Sequence, residues 1–336
     1  MKTLKALFLI IAVLLVLPAI SQVTEPDPLP FWNNTKTKAD ILDFVKYKAK
    51  SIPDSCRIAV FDMDGTIACE APLWFEMYVA VHGMNQQWKA NSNLLVEPEC
   101  QYARLLEANP FDTLISAHMA SKSVNYIDSI IWKAYAGCDN EVYIDSARSY
   151  LQKTKSKDPR FNMFLADMFY QPMLELIKYL QANKFEVYIV SGSLQGLLWS
   201  ICPQVIGFDR VHLIGTRQQM DPVYYPTKAT AFILKPAIWV PKNDGNGKAL
   251  NIYSYIGKIP VFAFGNTTGD FGMFRITSTS TYPHACFLLN HDDAEHEYVY
   301  PPWHGTGMPA WQDTMKCNGW HIVNMSTNFK QVWMNK

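Results

Sequence analysis

Short apolar runs rich in β-branched and aromatic residues recur along this chain, and the most informative of them end in a polar or glycine cluster. Residues 57–61 lead into Asp62-Met63-Asp64, residues 186–190 into Ser191-Gly192, and residues 261–264 into Gly265-Asn266. Residues 211–215 and 285–289 are further runs of this kind, the second reading as the last strand. Runs this short and this apolar read as strands buried on both faces. Stretches with helical spacing lie between them, at 39–51, 172–182 and 249–256, with Pro172 suited to a first helical turn. Strands alternating with helices predict an open parallel α/β sheet, whose ligands bind beyond the carboxyl ends of the strands.

That alternation is interrupted after the first run. Residues 73–168 carry few strand signals, and 74–82, 98–107, 111–121 and 125–136 have helical spacing. They predict an inserted helical subdomain. The N-terminus has Lys2 and Lys5, then the apolar run 6–17, then Ala19-Ile20-Ser21. This pattern predicts a signal peptide over 1–21, cut near Ser21–Gln22, and a protein exported to the periplasm or the medium. The apolar run is shorter than the ~20 residues a spanning helix needs, so no stable membrane insertion is expected after cleavage. The core is then expected over 22–72 and 169–336.

Formal net charge is +0, so the basic excess of a nucleic-acid binder is missing. The 7 cysteines form no CxxC pair, which argues against a zinc site.

If the cluster-bearing strands are neighbours, Asp62, Asp64, Ser191, Lys248, Asn266 and Asp270 share one site. Three carboxylates placed together repel one another, and a hard divalent cation with oxygen ligands, Mg²⁺ above all, relieves that. The serine, nearby backbone N–H groups and the lysine would hold an anion beside the metal. Such a set suits phosphoryl transfer.

The clusters "DMDGT", "IVSGS", "GNGKALNI" and "FGNTTGD" resemble, in order and spacing, the motifs of the haloacid dehalogenase superfamily. The stretches "YQPMLELIKYLQANKF" and "HDDAEHEYVY" resemble its bacterial, phosphoserine-phosphatase-like branch. The resemblance implies a Rossmann-like three-layer core with a helical cap inserted after the first strand. It also implies an Mg²⁺-dependent phosphomonoesterase that hydrolyses a small phosphorylated metabolite through an aspartyl-phosphate; a phosphoserine-like compound is one option, and a phosphocholine-like one another, since an aromatic wall would suit a quaternary ammonium.

By that resemblance Asp62 is the nucleophile and Asp64 the general acid and base, the acid that dehalogenating members lack. Thr66 steadies the loop. Ser191 and Gly192 bind phosphoryl oxygens, and Lys248 offsets charge, with Lys242 a competitor for that role. Asp62, the Asp64 carbonyl, Asn266 and Asp270 hold the metal. One departure is Gly265-Asn266, where the family usually has Gly-Asp. A neutral ligand there is expected to weaken metal binding, and a phosphotransferase or a non-catalytic phosphate binder are the alternatives.

Three further features stay open at this level. Glu70 is either a substrate-facing acid or a surface charge. His291, Asp292, Asp293 and His296 read as a solvated polar turn rather than a second metal site. Trp74, Phe75, Tyr78 and Trp88 read as core of the helical insertion rather than an aromatic wall facing substrate.

Overall fold

The computed structural model describes residues 26–109, 124–226, 230–300 and 309–334. The expected signal peptide over 1–21 and the expected helix over 111–121 lie outside the described residues. Among the described residues no helix is long and apolar enough to cross a membrane.

Strand β1 is Ile58–Phe61, β2 Glu186–Leu194, β3 Leu213–Thr216, β4 Gln218–Tyr224, β5 Thr230–Ile238, β6 Phe262–Gly265, β7 Ala285–Asn290 and β8 His321–Asn324. Six of them form a parallel sheet in the order β3-β2-β1-β6-β7-β8. Every residue of β1 and of β6 is buried, as their unbroken apolar sequences require for strands covered on both faces. Alternate residues point to opposite sides. Ala59, Phe61, Phe262, Phe264 and Phe287 join one hydrophobic cluster, while Ile58, Val60, Ala263, Cys286 and Leu288 join another. Helices cover both faces, among them Lys36–Lys46, Gln171–Ala182, Asn246–Ile256 and Phe271–Ser278. The architecture is the three-layer α/β sandwich that the alternation predicts.

The last strand is β8, not 285–289. Its four residues, His-Ile-Val-Asn, flanked by polar segments, give too short an apolar signal to stand out in the sequence.

After β1 come helices Phe75–Ala90, Pro98–Ala108, Val124–Lys133 and Asn140–Lys153. The first is buried almost all round, from Phe75 through Val81, so its periodicity is weak and its C-terminal half was not foreseen. The antiparallel pair β4–β5 was also not foreseen. It joins these helices: Gly137 N donates to Leu234 O, Leu234 N donates to Cys138 O, and Gln218 Nε2 donates to Trp132 O at 3.0 Å. Residues far apart in sequence thus form one accessory layer above the sheet. All seven cysteines are free thiols.

Candidate active site

The register of the sheet decides what meets what. β1 lies between β2 and β6, with Phe61 paired to Ile189 on one side and to Phe264 on the other. The residues that follow these three strands therefore converge. Asp62 N donates to Phe264 O at 2.9 Å, which continues the β1–β6 ladder by one residue. The chain then turns sharply, with Met63 O accepting from the backbone N–H groups of Thr66, Ile67 and Ala68. Gly65 sits in the turn at φ +71, where a side chain is strained. A Cβ there would also fall 2.0 Å from Asn266 Nδ2 and 2.4 Å from Glu70 Oε1. Only glycine lets the fourth cluster close onto the first.

The two acids of this turn have different partners. Lys248 Nζ donates to Asp62 Oδ1 at 2.5 Å and to Asp270 Oδ1 at 2.7 Å, and all three side chains are buried. Burial works against charge on Lys248, but Asp270 and Asp62 outweigh it and keep the ammonium protonated. Burial and the neighbouring Asp270 push the Asp62 carboxyl up, and Lys248 opposes them. Asp64 instead accepts from two hydroxyls, Ser193 Oγ at 2.8 Å and Ser191 Oγ at 3.1 Å, both on the same oxygen, Oδ2. Its other oxygen, Oδ1, is buried without a hydrogen-bond partner. Burial raises the Asp64 carboxyl to about 6, with the charge of Glu70 adding and the serine hydroxyls opposing.

Each residue expected at the site can be placed. Thr66 is fully buried and its Oγ1 donates to Asn266 Oδ1 at 3.3 Å. Asn266 Nδ2 donates to Glu70 Oε1 at 2.8 Å, which brings Glu70 to the site rather than to open surface. Gly192 lines the cleft, whereas Ser191 lies beneath it with its Oγ also accepting from Ser193 N. Lys248, not Lys242, reaches the acids of the turn, and Lys242 pairs with Asp128 at 2.9 Å on the rim.

Asp270 was expected among the metal ligands, and its carboxylate is engaged on both oxygens. Oδ1 takes Lys248, and Oδ2 takes the N–H groups of Asn266 and Thr267 at 2.8 and 3.0 Å. The second of these belongs to a capping box that opens the turn Thr268–Asp270. Among the described residues no group of three or more His, Cys, Asp or Glu side chains is placed to hold a metal ion. A cation here would rely on Asp62, the amide of Asn266 and the main-chain carbonyl of Asp64. This is an all-oxygen set beside a carboxylate oxygen, Asp64 Oδ1, that lacks a partner, and it fits a hard divalent cation such as Mg²⁺.

Above these groups is a cleft of ≈ 260 Å³, closed on the far side by Trp74, Glu76, Ile127, Asp128 and Ile131 of the inserted helices. Phe75 and Tyr78 are core, Trp88 is half-buried and donates to Asn85 Oδ1, and only Trp74 of that group faces the cleft. Sequence reasoning passed over Glu76. It is buried, accepts from Leu194 N at 2.6 Å, and is raised to about 7 by burial against that hydrogen bond. The available signal was a lone acid in the apolar turn "FEMYVAV". Ser193 was likewise passed over, though it is the second serine of "SGS".

The expected solvated turn after β7 is half correct. Asp292 binds Ser326 and Asp293 binds His296 at the surface, but His291 is 3% exposed, with Nδ1 2.8 Å from Glu297 Oε2 and Nε2 2.7 Å from Gly65 O. A histidine followed by two aspartates in a polar segment gives no sequence signal for burial.

Solved structures similar to this chain include a conserved protein of unknown function from Anaerococcus prevotii, at 14% identity and TM-score 0.48, covering 76% of this chain and 86% of that one. Another is cytosolic 5′-nucleotidase IIIB bound to cytidine, at 12% identity and TM-score 0.43, covering 78% and 80%. A third is a HAD family hydrolase from Salmonella enterica serovar Typhi, at 12% identity and TM-score 0.43, covering 88% and 78%. No curated protein sequence matches the chain. Residues 59–275, well over half the chain and including every acid, serine and lysine that converges at the strand ends, match the profile of the haloacid dehalogenase-like hydrolases, and the chain belongs to that family.

Proposed function

We propose that the protein is a Mg²⁺-dependent phosphomonoesterase that works through an aspartyl-phosphate on Asp62. The observation that carries the reading is the division of partners between the two acids. Asp62 is paired with a buried ammonium, which opposes the upward push of burial and of Asp270 and so supports the carboxylate that a nucleophile needs. Asp64 lies against two hydroxyls, is raised to about 6, and has one oxygen without a partner. Among the described residues a proton on that oxygen has no acceptor, so it is available to a leaving alcohol.

In this reading an Asp62 oxygen attacks phosphorus as the P–O bond to the alcohol breaks, and Asp64 gives its proton to the departing oxygen. Asp64 then takes a proton from water, whose oxygen attacks the phosphorus of the acyl phosphate. Inorganic phosphate leaves and Asp62 is restored. Ser193, the Gly192 N–H and Lys248 would face the phosphoryl oxygens, and Asp270 and Thr66 hold Lys248 and Asn266 in place. A divalent cation held by Asp62, Asn266 and the Asp64 carbonyl would supply further charge neutralisation for the phosphoryl group.

The inserted helices over 73–168, with β4–β5, would act as a cap that excludes water and selects a small substrate. Its cleft-facing groups, Trp74, Glu76 and Asp128, together with Glu70 beside the turn after β1, suit an alcohol that carries an ammonium group, as phosphoserine- and phosphocholine-like compounds do. Export through residues 1–21 is part of the same proposal. The test is Mg²⁺-dependent phosphate release from p-nitrophenyl phosphate and from a panel of phosphorylated metabolites. Hydrolysis that persists undiminished in EDTA, or none on any phosphomonoester, would refute the reading.

A further inference from the structure

His291 follows β7, which is separated from β1 by β6, yet its ring reaches across to the catalytic turn. Nε2 lies 2.7 Å from the Gly65 carbonyl oxygen, which can only accept, so this nitrogen carries a hydrogen. Nδ1 lies 2.8 Å from Glu297 Oε2. Glu297 is fully buried and already surrounded by donors: Tyr170 Oη at 2.8 Å and Cys69 Sγ at 3.2 Å on Oε1, and the Tyr298 N–H at 2.7 Å on Oε2. Burial, with Glu297 adding, holds both the Tyr170 hydroxyl and the Cys69 thiol well up, so both remain donors. The remaining position around this carboxylate calls for one more donor, and Nδ1–H supplies it. Burial works against charge on His291 and Glu297 raises it, and hydrogens on both ring nitrogens match the two acceptors they face, Glu297 Oε2 and Gly65 O. Tyr300 stacks on its face, with centroids 3.8 Å apart and planes at 6°.

A buried ion pair of this kind is weak as a stabiliser, because desolvation offsets much of the attraction. It is strong as a device that fixes geometry. The Gly65 carbonyl is the first acceptor after Asp64, in a turn where Gly65 N donates to Ala68 O at 2.7 Å. With the peptide groups on both sides of Gly65 each tied by a hydrogen bond, the backbone from Asp64 to Thr66 is held in place.

We propose that His291, held by Glu297, is a positioning residue of the catalytic turn: its ring N–H grips the Gly65 carbonyl and so aims the Asp64 carboxyl at the leaving oxygen. The proposal rests on the phosphatase reading only for its kinetic arm. If Asp64 is mis-aimed, protonation of the alcohol suffers most, so poor leaving groups are penalised more than good ones. A residue that merely supports the fold would not change that ratio.

The experiment first establishes that the wild type hydrolyses p-nitrophenyl phosphate and an alkyl phosphate, 2-aminoethyl phosphate, with Mg²⁺. His291→Leu should then lower kcat on the alkyl phosphate about 30- to 100-fold and on p-nitrophenyl phosphate less than about tenfold, with KM within about threefold. His291→Gln keeps a donor and should recover alkyl turnover to within about fivefold of wild type. A folded His291→Leu protein with an unchanged alkyl-to-aryl ratio would overturn the proposal. A second arm needs no activity and no variant that must fold. In the ¹⁵N-histidine-labelled wild type, the His291 ring should show two slowly exchanging N–H protons at mildly alkaline pH. One ring proton, or rapid exchange of both, would overturn the proposal even if the phosphatase reading stands. A wild type inactive on both esters would count against that reading and leave the ring protons to decide.

Discussion

The strand ends and the layer above them are built on different terms. At the strand ends the polar side chains are tied to one another and to neighbouring strands, turns and helices: Asp62 to Lys248, Lys248 to Asp270, Asp270 to the Asn266 N–H, and Asp64 to two serines. The accessory layer touches this site through few polar links. Among the described residues these include the bonds of Glu76 with the Leu194 N–H and of Asp128 with Lys242. The contrast teaches that sheet register brings the acids together, while the layer above meets them through only a few side chains. Changes at the strand ends should therefore alter turnover, and changes in the layer should alter pH response and substrate affinity.

The largest effect is expected at Asp62. Asp62→Asn removes the acceptor for the phosphoryl group and should lower kcat about 10³-fold or more, with the fold retained by circular dichroism. Next is Asp64→Asn, which leaves the nucleophile but removes the proton. It should lower kcat about 10²- to 10³-fold on alkyl phosphates but only about tenfold on p-nitrophenyl phosphate. Equal losses on both esters would remove Asp64 from the role of acid.

Asn266→Asp should have a smaller and two-sided effect. Asn266 Nδ2 now donates to Glu70 Oε1 at 2.8 Å, so the variant sets two carboxylates against each other. Without metal its melting temperature should fall below that of wild type. With Mg²⁺ it should rise by more, and half-activation should need about tenfold less Mg²⁺. Coincident Mg²⁺ titrations would show that Asn266 does not touch the ion.

The smallest effect lies in the accessory layer. Glu76 is raised from 4.5 to about 7 by burial, so the folded state holds its proton more tightly than the unfolded state. Stability then falls as pH rises through that interval, because above it a buried carboxylate must be kept ionised. Glu76→Gln removes this penalty and still accepts from Leu194 N. The variant should match wild type near pH 4 and exceed it by on the order of 1–3 kcal/mol near pH 8, measured by urea unfolding at both pH values. A difference that does not vary with pH would place the effect outside Glu76 ionisation.

Much of the strand-end site was legible because it is written locally. An apolar run followed by an acid, a serine or an amide reports both a strand and what stands at its end. What sequence could not supply were partnerships across distance. The neutral Asn266 reads as a weakened metal ligand, but its bond to Glu70 appears only when the chain folds. Asp270 reads as a ligand because its pair with Lys248 spans two separate loops. β4–β5 stayed hidden because its exposed half carries Tyr224, Phe232 and Val223, which blur the inward and outward alternation of a two-stranded ribbon. His291 is the sharpest case: a side chain in a polar stretch is buried because Glu297, six residues on, neutralises it there.

The measurement that tests the central claim most directly is chemical trapping of the covalent intermediate. The enzyme is mixed with Mg²⁺ and p-nitrophenyl phosphate, quenched during turnover, reduced with borohydride and analysed by peptide mass spectrometry. An acyl phosphate on Asp62 predicts conversion of that residue alone to homoserine, and no conversion in Asp62→Asn. Reduction at Asp64 or at another carboxylate, or a burst of p-nitrophenol with Asp62 unmodified, would contradict the account.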